Sequence, residues 1–490
     1  MDPAEIAEFN LNNAVNLTSS AANLADNEYN RIAISVLETG QLRGNRTDKR
    51  AISAFGNFMR FNIEDNLALI TTKKLPLRYI VAELLWFISG SSEIGLLNEI
   101  SKVPKGKKGI WDDWALTKDY HQTVVRDVTQ MVSEIALKEG RRDTVINQEL
   151  AAYQQQHGMD GITKYMEEHG VEVRAKVRVG IKGYVGPLYG HQWRRRQTEA
   201  YIDQLEYLLN NLNNDPLDRR HLLVAWDPDS LPRAGYTMDE NILMNKQPIA
   251  PCHWGSQYYV NPVLTDSNTP LLSFETDELG AAIVHVNPEY LSDNFRFKLD
   301  GEWTHDINTE EYSVKYVTED DKEVEKVPAV AIENGISIER DRLVLKGLQP
   351  NAKYELHSAA GLVARGQKGK VSGMLHMRSS DVFLGLPFNI ASYALLVHLM
   401  ARELGHTAKD LFVSLGDYHI YENHVDQIKE QLLRPTHKQA KFALSDDVPS
   451  IRQIMQMNNS PISLSAAVDS IVACIEGYTS GDKLIGERAV

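Results

Sequence analysis

The first residue in this chain able to make a bond to carbon is a cysteine that stands just ahead of a strand. Cys252 lies in Ile249-Ala250-Pro251-Cys252-His253. By itself it reads more readily as a small buried hydrophobe. The thiolate is the form that attacks carbon, and a neighbouring guanidinium favours it. Arg378, in the pair Arg378-Ser379 on a second strand read from Met374 to Phe383, is the residue to supply that charge. Glu83 lies amid Leu84, Leu85 and Trp86, where desolvation would raise its pKa toward a range useful for proton transfer. Its plainer reading is a salt-bridged helix glutamate. His419 and His424 lack the neighbours of a three-ligand cluster, so no metal site is expected.

The elements that must position these groups leave periodic traces. A helix is read from Asn27 to Thr39, with Ile32, Val36 and Leu37 on one face and Gly40 as its stop. A second begins near Pro76 and repeats Leu77, Ile80, Val81, Leu84 and Leu85 until Gly90, carrying Glu83 with it. Gln257 to Val260 reads as the strand after Cys252. After Asn389 an almost wholly apolar helix through Tyr393, Leu396, Val397 and Met400 predicts a central buried element. Two stretches interrupt this plan. Residues 116–182 are polar and helix-rich without turn-punctuated strands, as in a surface insertion. Residues 264–372 alternate in short runs such as Ala282 to Val286, Tyr312 to Val317 and Val327 to Ile332, which fits a small β-sandwich. Within it, Leu345, Gly347, Leu348, Pro350 and Tyr354 resemble the corner before a late strand of fibronectin type III domains. Residues 1–27 read as an extension, and Gly477 to Val490 as a mobile tail suited to a lid.

Composition narrows the class. A chain of 490 residues, 43% hydrophobic and 24% charged, predicts several folded units rather than disorder. A net charge of -14 disfavours general nucleic-acid binding unless arginines cluster locally. Two cysteines, Cys252 and Cys474, make no disulfide framework and point to a reducing compartment, with the cytoplasm expected. The N-terminus shows no signal peptide, and the most apolar run, Tyr79 to Ile88, is too short to span a bilayer and carries Glu83.

Four ordered motifs then carry a resemblance. Ala250-Pro251-Cys252-His253, Arg378-Ser379-Ser380-Asp381, Leu384-Gly385-Leu386-Pro387-Phe388-Asn389-Ile390-Ala391-Ser392-Tyr393-Ala394 and Gly416-Asp417-Tyr418-His419-Ile420-Tyr421-Glu422-Asn423-His424 resemble the thymidylate synthases. Upstream, Asn45-Arg46-Thr47, Glu83-Leu84-Leu85-Trp86-Phe87, Ile110-Trp111-Asp112-Asp113-Trp114-Ala115, Gly186-Pro187-Leu188-Tyr189-Gly190 and Asp218-Arg219-Arg220 extend it over about 28–262 and 372–490. It implies an α+β fold with a mixed sheet and packed helices, interrupted by both insertions.

The resemblance also implies a reaction. Cys252 would add to carbon 6 of the uracil ring of dUMP, making carbon 5 a nucleophile toward 5,10-methylenetetrahydrofolate, a co-substrate, with dTMP as product. Glu83 would manage protons at the carbonyl on carbon 4, and Tyr189, otherwise a packed aromatic, would help the carbon 5 proton leave. Arg46, Arg378 and Ser379 would hold the phosphate, with Arg219 and Arg220 reaching in from the second subunit of a homodimer. Asn389 would choose uracil, because an amide can donate to the carbonyl at carbon 4 and accept from N3. Related dCMP hydroxymethylases have aspartate at that position. His419 and Tyr421 would bind the deoxyribose hydroxyl, unless they serve as a turn-capping histidine and a core tyrosine. Ile110, Trp111, Trp114, Asp381, Leu384, Gly385 and Phe388 would receive the folate, with Val490 closing over it, although the tryptophans also read as packing.

The chain departs from the family at Asp48-Lys49-Arg50, where glycines are usual, and at Met377, where glutamine is usual. Two rival readings stand beside the synthase. A dUMP hydroxymethylase would let water capture the methylene intermediate, and a non-catalytic scaffold would use the 264–372 insertion to recruit a protein partner.

Overall fold

The computed structural model describes residues 23–44, 49–196, 202–216, 218–262 and 369–487; between 263 and 368 it describes strand segments alone. The chain divides into two units, one of Met1–Gly109, Pro187–Leu231 and Ile249–Val490, the other of Ile110–Gly186 and Pro232–Pro248. Among the described residues no helix is long and apolar enough to cross a membrane.

The first unit is built on a six-stranded mixed sheet. Its strands are β1 (Gln41–Arg43), β2 (Ala51–Asn62), β3 (Leu222–Val224), β4 (His253–Pro262), β5 (Gly369–Asp381) and β6 (Thr407–Tyr421), in the spatial order β1-β2-β6-β5-β4-β3. β5 and β6 run parallel, and every other neighbouring pair is antiparallel. The parallel pair needs a crossover, and the helix between those strands supplies it.

Four helices of this unit matter to the site: α1 (Leu24–Thr39), α2 (Leu77–Ser89), α3 (Tyr189–Arg195) and α4 (Gly385–Glu403). The Asn23 side chain caps α1 by accepting from the N–H groups of Ala25 and Asp26. Pro76 precedes α2, and Gly90 ends it in the left-handed region at φ 72°, where a glycine costs least. α4, the crossover helix, is buried almost throughout, from Leu386 to Ala401, and packs on β5 and β6. This is the central apolar helix expected after Asn389, begun one turn earlier. One sheet face, bearing Met59, Leu375 and Val413, is buried.

The second unit corrects an expectation. Around Met131, Val132, Ile135, Ile146, Leu150 and Met166 it packs the helices Val128–Glu139, Asp143–His157 and Gly161–Glu168. It also contains an antiparallel ribbon of Tyr120–Val125 with Arg174–Gly180, where the sequence predicted no strands. The second strand alternates Arg174, Lys176 and Arg178 with Ala175, Val177 and Val179, a period of two that the sequence reading passed over.

In the stretch between β4 and β5, Leu272–Thr276, Ala282–Val286 and Lys353–Leu356 form a three-stranded sheet. Thr304–Asp306, Glu311–Lys315, Ile336–Glu339 and Arg342–Lys346 form a four-stranded one. Tyr354, on the strand Lys353–Leu356, pairs with Phe274 on Leu272–Thr276. The run Val327 to Ile332 lies outside the described residues. Gly369 pairs directly with Pro262, so β4 and β5 are the two arms of one antiparallel hairpin, and everything from 263 to 368 hangs from its open end.

Candidate active site

At the end of that hairpin opposite the Pro262–Gly369 pair, the chemistry-bearing residues collect. The register of β5 against β4 shifts between His376, which faces Gly255, and Met377, which faces His253, so Trp254 is the extra residue of a bulge. A bulge bends its strand and re-aims the neighbouring side chains. Here the N–H of Arg378 donates to the carbonyl of Cys252 at 2.9 Å, which ties the nucleophile's backbone to the neighbouring strand. The Arg378 side chain reaches the same loop, Nε donating to the Pro251 carbonyl at 2.9 Å and Nη2 to that of Ala250 at 2.6 Å. Charge-assisted bonds of this kind are worth about 1.5–3 kcal/mol each. The guanidinium also lies 5.8 Å from the ring centre of Trp226. Arg378 thus fixes the Cys252 loop while its Nη1 stays available to a ligand.

Tyr189 stands on the other side of the cysteine. Its hydroxyl oxygen accepts the Cys252 N–H at 2.9 Å. Burial drives its pKa well above the ordinary value, the charges of Cys252 and Glu83 push the same way, and Arg378 opposes them. The phenol therefore stays protonated and able to donate. These couplings put Cys252, Arg378, Glu83 and Tyr189 within one electrostatic neighbourhood. Glu83 is half-buried on α2, one turn before Phe87, and the Phe87 ring meets Tyr189 at 5.1 Å. Residues i and i+4 share a helix face, which is how α2 turns its carboxylate toward the same place.

Behind Cys252 lies an aromatic bed to which the sequence reading gave no role. His253 stacks on Tyr189 at 3.9 Å and 7° and hydrogen-bonds through Nδ1 with the Tyr393 hydroxyl at 3.0 Å. Burial lowers its pKa to about 3, so the ring is neutral and serves as a support. Trp193 meets both Phe87 and Tyr393 edge-on. The signal was present, since His253 follows the cysteine and Tyr393 sits in a quoted motif, but adjacency alone does not reveal stacking. Met377, in place of the usual glutamine, is buried between neighbouring strands and presents no amide.

The same sheet end carries the remaining candidates from the C-terminal ends of β5 and β6. Ser379, Asp381, Leu384, Gly385, Phe388 and Asn389 are all half-buried where β5 passes into α4. Asp381 Oδ1 accepts the N–H groups of Phe383 and Leu384 at 2.9 and 3.0 Å, which leaves Oδ2 for a ligand. Asp381 pairs in register with His419. His419 Nδ1 bonds with Asp417 Oδ1 at 2.8 Å, and the Tyr421 ring lies 5.1 Å away, edge-on. Beneath this turn Lys73, which sequence reasoning overlooked, is buried with Nζ donating to the Phe383 carbonyl and lying 3.9 Å over the Phe383 ring.

Arg219 and Arg220 stand apart from this cluster. Arg219 and Arg220 are exposed ahead of β3, whose Leu222 pairs with Gln257, five residues along β4 from Cys252. At about 3.4 Å per residue that is roughly 17 Å. Arg220 is engaged by Asp218 at 2.7 Å. Ile110, Trp111 and Trp114 belong to the second unit, with Trp111 capping the short helix Asp112–Trp114 that Trp114 ends. Arg46 and Val490 lie outside the described residues.

The tail expectation needs revision for its described part. The Tyr478 hydroxyl donates to the Ile70 carbonyl at 3.1 Å, Gly481 N–H donates to Thr71, and the Glu487 carbonyl accepts from Asn423 and His424 at 3.0 and 2.7 Å. A Cβ on Gly486 would come within 2.6 Å of the Phe383 ring, so only glycine fits there. The segment is docked by backbone bonds that apolar periodicity does not register.

Comparison with known proteins agrees with the geometry. A family model described as thymidylate synthase matches residues 27–275 and 338–467. The chain is 26% identical over 419 residues to a thymidylate synthase of Listeria monocytogenes, covering 85% of this chain and 89% of that one. It is 26% identical over 442 residues to one from Leuconostoc mesenteroides, covering 87% and 91%. The chain belongs to the thymidylate synthase family, a family of methyltransferases.

Proposed function

We propose that the enzyme methylates dUMP reductively to dTMP through a covalent bond between Cys252 and carbon 6 of the uracil ring. The observation that carries this reading is the meeting of Cys252, Arg378, Tyr189 and Glu83 at one end of the β4–β5 hairpin. The folate, 5,10-methylenetetrahydrofolate, supplies the one-carbon unit and the hydride.

The chain's own residues divide the remaining work. Arg378 holds the nucleophile loop and offers Nη1 to the nucleotide phosphate, with Ser379 and Arg46 as further ligands. Tyr189 holds a water that takes the proton leaving carbon 5, and Glu83 relays protons at the carbonyl on carbon 4. The Asn389 amide has no protein partner among the described residues and reads the carbonyl and N3–H edge of uracil. His419 Nε2 and Tyr421 bind the deoxyribose hydroxyl. Asp381 Oδ2, with Leu384, Gly385 and Phe388, suits the pterin, being one open acceptor on a half-buried apolar rim.

The working unit is a homodimer. Two observations support it. First, Arg219 and Arg220 stand far from Cys252 of their own chain, which supports their serving a second copy. Second, the sheet face opposite the buried one carries Arg60, Phe412, Met374, Gln257 and Leu222 in one cross-strand row. Beside that row Phe58 stacks on Phe412 at 5.7 Å and Trp254 on His376 at 5.3 Å, while Tyr259 is 56% exposed. A contiguous aromatic face of this kind marks an association surface.

Products decide the reading. Incubation with dUMP and 5,10-methylenetetrahydrofolate, with the products identified by mass, should give dTMP and dihydrofolate. Tetrahydrofolate with 5-hydroxymethyl-dUMP would mean that water, not hydride, captures the intermediate.

A further inference from the structure

The ribbon of the second unit has a charge pattern that methyl transfer does not use. Between Arg174 and Lys182 the chain holds four basic residues and no acidic one, within a protein of net charge -14. Arg174, Lys176 and Arg178 alternate along the strand Arg174–Gly180, so all three project from one face. Their cross-strand neighbours on that face are Val125, Thr123 and His121, none acidic. All six side chains except that of Thr123 are basic or apolar, and all six are exposed. Arg174 and Lys176 make no ion pair among the described residues, and Arg178 has only a long 3.8 Å contact with exposed Asp119. The acidic groups near the ribbon sit at its ends: Asp119 and Asp239, which accepts from the Tyr120 hydroxyl, at one, Glu172 and Asp127 at the other.

Geometry selects among polyanions. Side chains on one face of a strand recur about every 6.8 Å. Phosphates of one strand of B-form DNA follow a backbone that winds around the axis, so a row of three exposed cations can meet successive phosphates where that backbone crosses the ribbon. The major groove of B-form DNA is wide enough for a two-stranded ribbon, whereas that of A-form RNA is too deep and narrow. We propose that this ribbon is a docking surface for the phosphate backbone of double-stranded DNA, bound without sequence choice through Arg174, Lys176 and Arg178.

Fluorescence anisotropy of the full chain with a labelled DNA duplex tests this directly. Three phosphate contacts predict a slope of about -2.7 for log affinity against log salt, or about fortyfold weaker binding between about 50 and 200 mM salt. The triple variant Arg174→Ala, Lys176→Ala, Arg178→Ala should lose that slope while its circular dichroism and dTMP formation stay unchanged. The double variant Arg174→Lys, Arg178→Lys should keep it, because charge alone is required. Absence of salt-dependent duplex binding, equal binding by the triple variant, or preference for RNA or for an acidic peptide over the duplex would each overturn the proposal.

Discussion

The two ends of the β4–β5 hairpin show how one pair of strands can be strictly constrained and permissive at once. At one end a bulge at Trp254, two side-chain bonds from Arg378 and the Tyr189 hydroxyl hold the Cys252 loop. At the other, Gly369 pairs with Pro262 and the strands could be joined by a tight turn, yet residues 263–368 intervene. Ten residues of β4 separate the ends, about 34 Å in an extended strand. An insertion whose two feet stand on paired residues leaves the ladder of the hairpin intact.

The contrast can be broken most sharply at the closed end. Cys252→Ala should lower turnover by roughly 10⁴-fold or more, since no other described group stands ready as the nucleophile. Arg378→Ala leaves two carbonyls unpaired and removes the cation, and should cost about 10²- to 10³-fold in kcat/KM. Arg378→Lys restores the charge but not the fork, and should recover only part of that loss. A charge on the open sheet face comes next: Trp254→Glu should shift sedimentation toward monomer and lower activity with it, and activity that survives in the monomer would argue against shared sites. The smallest effect belongs to the far end of the hairpin. Replacing 263–368 by a two-residue turn should leave kcat/KM within about twofold, and a large loss would show that the insertion reaches the chemistry.

The Asp381–Phe383 turn adds a pH test. Burial lowers the Lys73 pKa to about 7 from 10.5, with Asp381 pulling the other way. Below about pH 7 folded and unfolded chains both carry the proton, and the penalty is constant. Between about pH 7 and 10.5 the unfolded chain holds more protons, so folding stability rises with pH. Thermal melts of Lys73→Met should therefore lack that rise, and parallel curves for the two proteins would contradict the assignment.

Legibility in the sequence depended on the kind of force at work. α2 and α4 were readable because apolar periodicity, Pro76 and Gly90 all act locally. Cys252 and Arg378 were readable as residue types, but their relation was not. The guanidinium secures backbone carbonyls of residues 250 and 251, a contact between segments far apart in the chain that no local pattern encodes. The bulge at Trp254, the stacking of His253 on Tyr189 and the docking of Gly486 on Phe383 were hidden for the same reason. The ribbon strand Arg174–Gly180 was legible, since Ala175, Val177 and Val179 alternate with basic residues, and that period was passed over.

The central claim is that the Cys252 sulfur activates carbon 5 of dUMP. Release of tritium from carbon 5 of labelled dUMP, in the presence of 5,10-methylenetetrahydrofolate, measures that activation before any product leaves. The parent and the variant lacking 263–368 should release tritium at similar rates, and Cys252→Ala should release none. Continued release from Cys252→Ala would place the nucleophile elsewhere and contradict the account.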